Sequence, residues 1–186
     1  NLTSMFENCQ NLNNLYNNTD LDDWDVRNVI TMHSMFKNSN FHGNLEGWNN
    51  KLGNLVYVNS MFFNSKFNGN IDNWRVFNVK CFDSMFENNK VFSGNLSNWD
   101  VRNGVSFNRM FYGCTNIQNT IQKWKVKNVT FTEMFYHSGI ELKTNMLPGK
   151  HLEANNYFTE LIKLKSKQPP KQPSAQAAPT PTQAAT

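Results

Sequence analysis

The sequence predicts a repeat solenoid, a stack of similar coils, and three observations carry this prediction. Tryptophan recurs at intervals of 24, 26, 25 and 25 residues, at Trp24, Trp48, Trp74, Trp99 and Trp124. A Met-Phe pair follows each of these tryptophans, and one further pair stands at Met5-Phe6. Fifteen Phe, eight Met and five Trp supply most of the apolar mass, concentrated in the repeated columns. A unit of about 25 residues cannot bury its apolar face alone, so successive units are expected to stack.

Each unit is expected to contain an extended segment around Trp and a turn around Met-Phe. An aliphatic residue stands three positions before every Trp, and Val stands two positions after it in four units. This alternation suits short strands, which pair between coils about 4.8 Å apart. The Ser-Met-Phe end suits a tight or short helical turn. The short polar residue four positions before Trp is able to bond a turning backbone.

One asparagine recurs once per coil, four positions after Trp in four units and shifted by an insertion in the second. This column contains Asn28, Asn54, Asn78, Asn103 and Asn128. A catalytic amide does not explain the recurrence, whereas a ladder does, in which each side chain bonds backbone groups of its own and adjacent coils. We expect the ladder at a buried bend, so that Asn78→Ala costs about 1–3 kcal/mol.

The tryptophan column has two interpretations. It could be an exposed aromatic stripe for carbohydrate, or it could be a buried stack. Because Trp keeps phase with the aliphatic columns and with Met-Phe, the buried stack is favoured. Burial of each large side chain then contributes about 1.5–3 kcal/mol.

The combined motif, Phe-x-Gly-Asn-[Leu/Ile]-x-x-Trp-x-Val-x-Asn followed by Met-Phe, resembles a known family. It is carried by Phe67–Val79 with Met85-Phe86 and by Phe92–Asn103 with Met110-Phe111. It resembles the BspA-like leucine-rich-repeat surface proteins, and looks closest to the branch described from mycoplasma lipoproteins. The resemblance covers roughly residues 1–140. It implies a right-handed leucine-rich-repeat-like solenoid, surface exposure, and a role in adhesion or protein recognition, without naming the partner.

Three segments are expected along the chain. Residues 1–140 form a solenoid of about five units that begins in the middle of a repeat. Residues 141–165 form a C-terminal cap containing an amphipathic helix at 152–165, for which a membrane or partner helix is the rival interpretation. Residues 166–186, rich in Pro, Ala, Gln and Thr, form a disordered tail. A cell-surface or extracellular location is expected, with neither leader nor anchor in this chain.

Composition argues against two classes of partner. The net charge of +4 is mild and comes partly from lysines near the C-terminus, so nucleic acid is not expected to be a partner. No stretch approaches the roughly 20 apolar residues of a membrane span.

No catalytic constellation, cofactor site or metal site is predicted, so the protein is not expected to be an enzyme. The four histidines fall in different columns, and no phosphate loop or Ser/His/Asp arrangement is evident. Cys9 and Cys114 share a column with Ser and Asn, which indicates packing at a tight turn rather than metal ligation. A solvated acidic corner is favoured over a calcium site for one cluster, at Asp20, Asp22, Asp23 and Asp25.

A partly basic stripe flanks the inward Val and is the predicted binding face. Its residues are Arg27, Arg75, Phe77, Arg102, Lys125 and Lys127. Such a stripe could recognise a protein or glycan on a host or neighbouring cell, or it could simply be a solvated face. The sequence therefore favours a non-enzymatic, surface-displayed recognition protein of adhesin type. The alternative is a structural spacer or scaffold that carries another module.

Overall fold

The computed structural model describes residues 1–12, 21–117, 121, 124–126 and 129–140. Regular secondary structure is sparse among these residues: one 3-10 helix spans Glu46–Trp48, and isolated parallel bridges join successive units. The bridges form one line, from Thr31 to Tyr57, Cys81, Ser106 and Thr130. Equivalent residues of neighbouring repeats therefore lie side by side. The expected cap and tail, residues 141–165 and 166–186, lie outside the described residues.

The bridges differ in position from the short strands expected around Trp. In three units the bridged residue comes seven positions after Trp, at Thr31, Cys81 and Ser106. The segment before Trp closes a turn instead, because the Trp N–H donates to the carbonyl of the aliphatic residue three positions earlier. The predicted bond to this turn is confirmed in three units, where the side-chain oxygen accepts the N–H two residues on, at Asn44, Asn70 and Asn95.

The segment from Ser to Asn around each Met-Phe pair holds one unit against the next. Alternate N–H groups of one unit donate to carbonyls of the following unit: Ser34 to Asn59 at 3.0 Å, and Phe36 to Met61 at 2.9 Å. The intervening N–H groups close turns within the unit, as Met35 does with the Met32 carbonyl at 3.1 Å. The same arrangement recurs in the later units, so the backbone of each turn is bonded both within its own unit and to its neighbour.

Each of these turns contains two residues with left-handed backbone conformation. In one unit they are Ser34 and Asn38, with φ of 54° and 53°. The second position is occupied along the chain by Asn8, Asn38, Asn64, Asn88, Gly113 and His137. Asn and Gly tolerate this conformation best, which accounts for an asparagine column that the sequence analysis did not single out. Its amides also bond one another, because Nδ2 of Asn38 donates to Oδ1 of Asn8 and Nδ2 of Asn64 to Oδ1 of Asn38, both at 3.0 Å.

The core consists of like residues stacked on like. One column of phenylalanine rings has centroid separations of 5.5 to 6.2 Å, through Phe36, Phe62, Phe86, Phe111 and Phe135. A second column of rings passes through Phe41, Phe67 and Phe92. Both columns are buried, as are the Met residues from Met32 to Met134. Burial of these side chains supplies the main driving force for stacking the units.

Candidate functional site

The tryptophan column forms the inner wall behind the candidate binding face. Trp48, Trp74, Trp99 and Trp124 are buried, whereas Trp24 is half-buried. Each buried indole N–H donates to the carbonyl of the aliphatic residue that precedes Trp in the previous unit, as from Trp74 to Leu45 at 3.1 Å. The same carbonyl also accepts the backbone N–H of the Trp in its own unit. These tryptophans are therefore committed to the core and are not an exposed stripe for carbohydrate.

The residues on either side of the buried Val point away from this wall. Val26, Val76, Val101 and Val126 are buried. Because successive side chains of an extended segment point to opposite sides, the flanking residues face solvent. The exposed members of the predicted stripe are Arg27, Arg75, Phe77, Arg102 and Lys125. Lys127 lies outside the described residues.

Two of the predicted binding arginines are engaged by neighbouring carboxylates. The Arg27 guanidinium donates to both carboxylate oxygens of Asp25, at 2.8 Å each, and Arg102 donates to Asp100 at 2.7 Å. Hydrogen bonds from these arginines hold the pKa of Asp25 and the pKa of Asp100 below the usual range for aspartate. Exposed pairs of this kind contribute little to the stability of a fold, because water and salt screen them. Their main effect is to neutralise charge locally.

Arg75 and Phe77 differ from the paired arginines. Within the described residues no carboxylate lies within ion-pair distance of Arg75. The Phe77 ring is 44% exposed, and the Arg102 guanidinium lies 5.6 Å from its centroid. An uncompensated cation and a half-exposed aromatic ring are the features of this face that internal packing leaves available.

Arg75 and Phe77 line an open cleft of about 510 Å³. The remaining lining residues come from three successive units and are Asn49, Asn50, Asn73, Trp74, Asn98 and Asp100. The second unit contributes Asn49 and Asn50 because it carries the insertion that follows Trp48. Asn73 and Asn98 occupy the position directly before Trp in the next two units.

The asparagine amides of the cleft make no side-chain hydrogen bond to the part of the chain that the structure describes. Among the described residues, no hydrogen bond is made by the side chains of Asn49, Asn50, Asn73 or Asn98, and Oδ1 of Asn49 is buried without a partner. Elsewhere most repeated asparagines bond the backbone or each other. Asn50, Asn73 and Asn98 are exposed and Asn49 is partly buried, so water solvates most of these amides and a ligand would bind them by displacing that water.

The asparagine column four positions after Trp bonds the backbone, but it is not buried. Nδ2 of Asn54 donates to the Arg27 carbonyl at 2.9 Å, that of Asn78 to Gly53 at 2.6 Å, and that of Asn103 to Phe77 at 3.0 Å. The expected buried position was wrong: Asn28, Asn54 and Asn78 are exposed and Asn103 is half-buried. The column follows the outward-facing stripe residue directly, so it lies at the rim of each coil. Asn128 lies outside the described residues.

The exposure of this column lowers the expected effect of Asn78→Ala. Water replaces the lost amide at the Gly53 carbonyl, so we expect a loss of about 0.5–1 kcal/mol in the free energy of unfolding rather than the larger loss expected for a buried site. Urea denaturation followed by circular dichroism measures it. A loss above about 2 kcal/mol would mean that the carbonyl is shielded from water after all.

Other reactive groups in the described residues are engaged in packing. Cys9, Cys81 and Cys114 are free thiols, and burial raises the pKa of Cys114 to about 12, which keeps it protonated near neutral pH. No group of three or more His, Cys, Asp or Glu side chains is arranged to hold a metal ion in the part of the chain that the structure describes. None of the helices described there is long and apolar enough to cross a membrane.

A family of Mycoplasma proteins of unknown function, DUF285, matches the chain over residues 1–65 and 40–147. The chain belongs to this family. The matched residues span all five tryptophans and all six Met-Phe pairs, so the repeats are the shared feature. No curated protein and no solved structure matches the chain. Membership in DUF285 establishes the mycoplasma repeat family but not the finer resemblance to BspA-like leucine-rich repeats.

The cleft and its amides were missed by the sequence analysis. Arg75 and Phe77 were predicted to belong to a binding face, and the structure brings these two together. Arg27 and Lys125 belong to the same stripe but do not line the cleft. Two signals in the sequence point to the missed residues: the insertion at Asn49-Asn50, and the Asn that directly precedes Trp74 and Trp99.

Proposed function

We propose that this member of the DUF285 family is a non-enzymatic recognition protein of adhesin type, displayed on a cell surface or in the extracellular space. In this proposal the units form a right-handed, leucine-rich-repeat-like solenoid of the BspA-like kind. The line of parallel bridges and the repeated hydrogen bonds between turns support stacking of this type. Surface display is proposed from the resemblance of the repeat to BspA-like surface proteins.

The observation that carries the recognition role is the cleft on the stripe beside Trp. It combines a half-exposed aromatic ring with a cation and amides that have no carboxylate partner or side-chain hydrogen bond among the described residues. The polar groups are solvated by water, whereas the Phe77 ring leaves apolar surface exposed to it. Binding sites characteristically place a few convergent polar groups around an apolar surface. The partner is therefore expected to be a protein or glycan that covers this cleft.

The test is binding of the full chain to immobilised extracellular-matrix proteins, glycans and intact host cells. The face variant is Arg75→Glu/Phe77→Ala/Lys125→Glu. The matched control, Lys66→Glu/Tyr57→Ala/Lys80→Glu, makes the same changes at exposed residues outside the cleft. We expect saturable binding that the face variant loses by tenfold or more, about 1.4 kcal/mol, while the control retains it. Thermal unfolding of both variants verifies that they are folded. Equal affinity of the two variants would overturn the assignment of this face.

A spacer role is the second candidate, and one observation favours it. Arg27 and Arg102 are satisfied by Asp25 and Asp100, as expected for a solvated face that only keeps the protein soluble. A spacer tolerates both triple variants and binds nothing on the panel. Its function responds only to deletion of a whole unit of about 25 residues, which shortens the stack by one repeat.

A further inference from the structure

We propose that the cleft beside Trp74 is a binding site for a saccharide that carries a carboxylate. This inference rests on the proposed recognition function and deepens it by naming the class of ligand. The three features that support it are the side-chain amides, the exposed ring of Phe77 and the guanidinium of Arg75. Each of them matches a different part of an acidic sugar.

The amides match the hydroxyl groups of a sugar. A primary amide presents a donor and an acceptor on one planar group, which suits neighbouring hydroxyls that each donate and accept. The cleft contains four such side chains, at Asn49, Asn50, Asn73 and Asn98. Since none of them bonds another described residue, a ligand gains these hydrogen bonds without breaking internal ones.

The ring of Phe77 matches the C–H face of a pyranose. It is 44% exposed and lines the same cleft as the amides. A sugar has both an apolar face and a polar rim, so it covers the ring while its hydroxyls reach the asparagines. Burying the ring against carbon recovers the hydrophobic free energy that the fold leaves unused there.

Arg75 selects an acidic sugar over a neutral one. The Asp100 carboxylate at the cleft is already paired with Arg102, so among the described residues the positive charge of Arg75 has no carboxylate partner. A guanidinium binds a carboxylate through two parallel hydrogen bonds, which sets both affinity and orientation. A single free cation beside a carboxylate suits one acidic group better than the closely spaced phosphates of a nucleic acid.

The dimensions of the cleft also suit a short oligosaccharide. Its volume of about 510 Å³ lies within the range of small-ligand sites, about 300–1,000 Å³. The cleft is open to solvent, so the bound sugar could be the end of a longer chain or part of its interior. A peptide would need exposed backbone partners or an apolar pocket, and the lining is dominated instead by amides.

Calorimetric titration of the full chain with defined saccharides tests this inference. The acidic probes are sialyllactose and a hyaluronan tetrasaccharide, and lactose is the neutral probe. We expect at least one acidic probe to saturate and lactose to bind tenfold or more weaker. Arg75→Gln should reduce the acidic probe to the affinity of lactose, and Phe77→Ala should weaken every probe that binds. The control Lys80→Gln removes the same charge outside the cleft and should change nothing.

Side-chain amide resonances give an independent readout of the site. The signals of Asn73 and Asn98 should shift on addition of the acidic probe, and those of the rim residues Asn54 and Asn103 should not. Failure of both acidic probes to saturate the folded protein would overturn the inference, as would wild-type affinity in Arg75→Gln. If the saccharides fail while a matrix protein is bound and then lost in the face variant, recognition stands and its ligand is a protein. If the whole panel fails as well, both proposals are wrong.

Discussion

Trp99→Ala is expected to lower the free energy of unfolding by about 3–5 kcal/mol, among the largest losses for any single side chain of the stack. The indole is 3% exposed and lies between two parallel neighbours, with centroids 6.4 Å from Trp74 and 6.3 Å from Trp124. Neither neighbour can move into the space, because each is fixed by its own indole N–H bond to the preceding unit. The substitution therefore leaves a cavity in the middle of the column. Urea denaturation followed by circular dichroism measures the loss.

Trp99→Phe separates the contribution of the indole hydrogen bond to stability from the contribution of the buried ring. The Ile71 carbonyl accepts the Trp99 indole N–H at 2.9 Å and also the Trp74 backbone N–H at 3.1 Å. Phenylalanine keeps most of the ring but leaves one lone pair of that carbonyl without a donor, which costs about 1–2 kcal/mol. Phe77→Leu, at an exposed ring, is the control and should cost less than about 0.5 kcal/mol. Equal losses in Trp99→Phe and Phe77→Leu would contradict the role of the indole bond.

The columns of large apolar residues could be predicted because their common phase favours burial over exposure. Trp74 and Phe86 recur in phase with other apolar residues, and a column of large apolar side chains is stable only when it is buried. The turn before Trp was likewise predictable from its polar residue, because Asn70 is short enough to bond the backbone two residues on.

Asparagine could not be assigned in the same way, because one side chain serves several purposes here. Asn70 closes a turn, Asn78 bonds the preceding coil, and Asn64 adopts a left-handed backbone conformation. Asn73 has an open amide in the cleft. The column position distinguishes these roles only once the exposed and buried sides of the coil are known. For that reason Asn78 was expected to be buried, and the cleft was not foreseen.

The sequence analysis also did not predict a charged cluster around Arg109. Arg109 occupies the column that holds Ser34, Ser60 and Ser84 in earlier units. Its guanidinium bonds both carboxylate oxygens of Glu87, at 3.0 and 2.5 Å, contacts Glu133, and lies 3.7 Å from the ring centroid of Tyr112. These hydrogen bonds, above all those that Arg109 donates to Glu87, raise the pKa of Arg109 above its usual range, so the cation persists at any ordinary pH. Each partner comes from a different unit, and no column predicts the pairing.

Arg109→Met is the substitution that tests this cluster, and we expect it to cost about 2–3 kcal/mol. Glu87 is only 5% exposed, so removing its partner leaves a carboxylate charge inside the protein without compensation. Breaking a fully buried pair typically costs about 3–5 kcal/mol. We expect a loss about 1–2 kcal/mol smaller here, because the Arg109 side chain is 37% exposed and water reaches the site. Chemical denaturation at neutral pH gives the value.

A matched control and a second substitution distinguish the cost of leaving Glu87 charged and unpaired from the cost of removing an arginine side chain. Arg102→Met removes the same side chain from a pair with Asp100 whose two members are 62% and 40% exposed, and it should cost clearly less stability than Arg109→Met. Glu87→Gln added to Arg109→Met removes the stranded charge and should restore part of the stability, since neutral amides are far less costly to bury than carboxylates. If the two arginine variants lose equal stability, or if the second substitution destabilises the first further, the cluster contributes through packing around Tyr112 rather than through its charges.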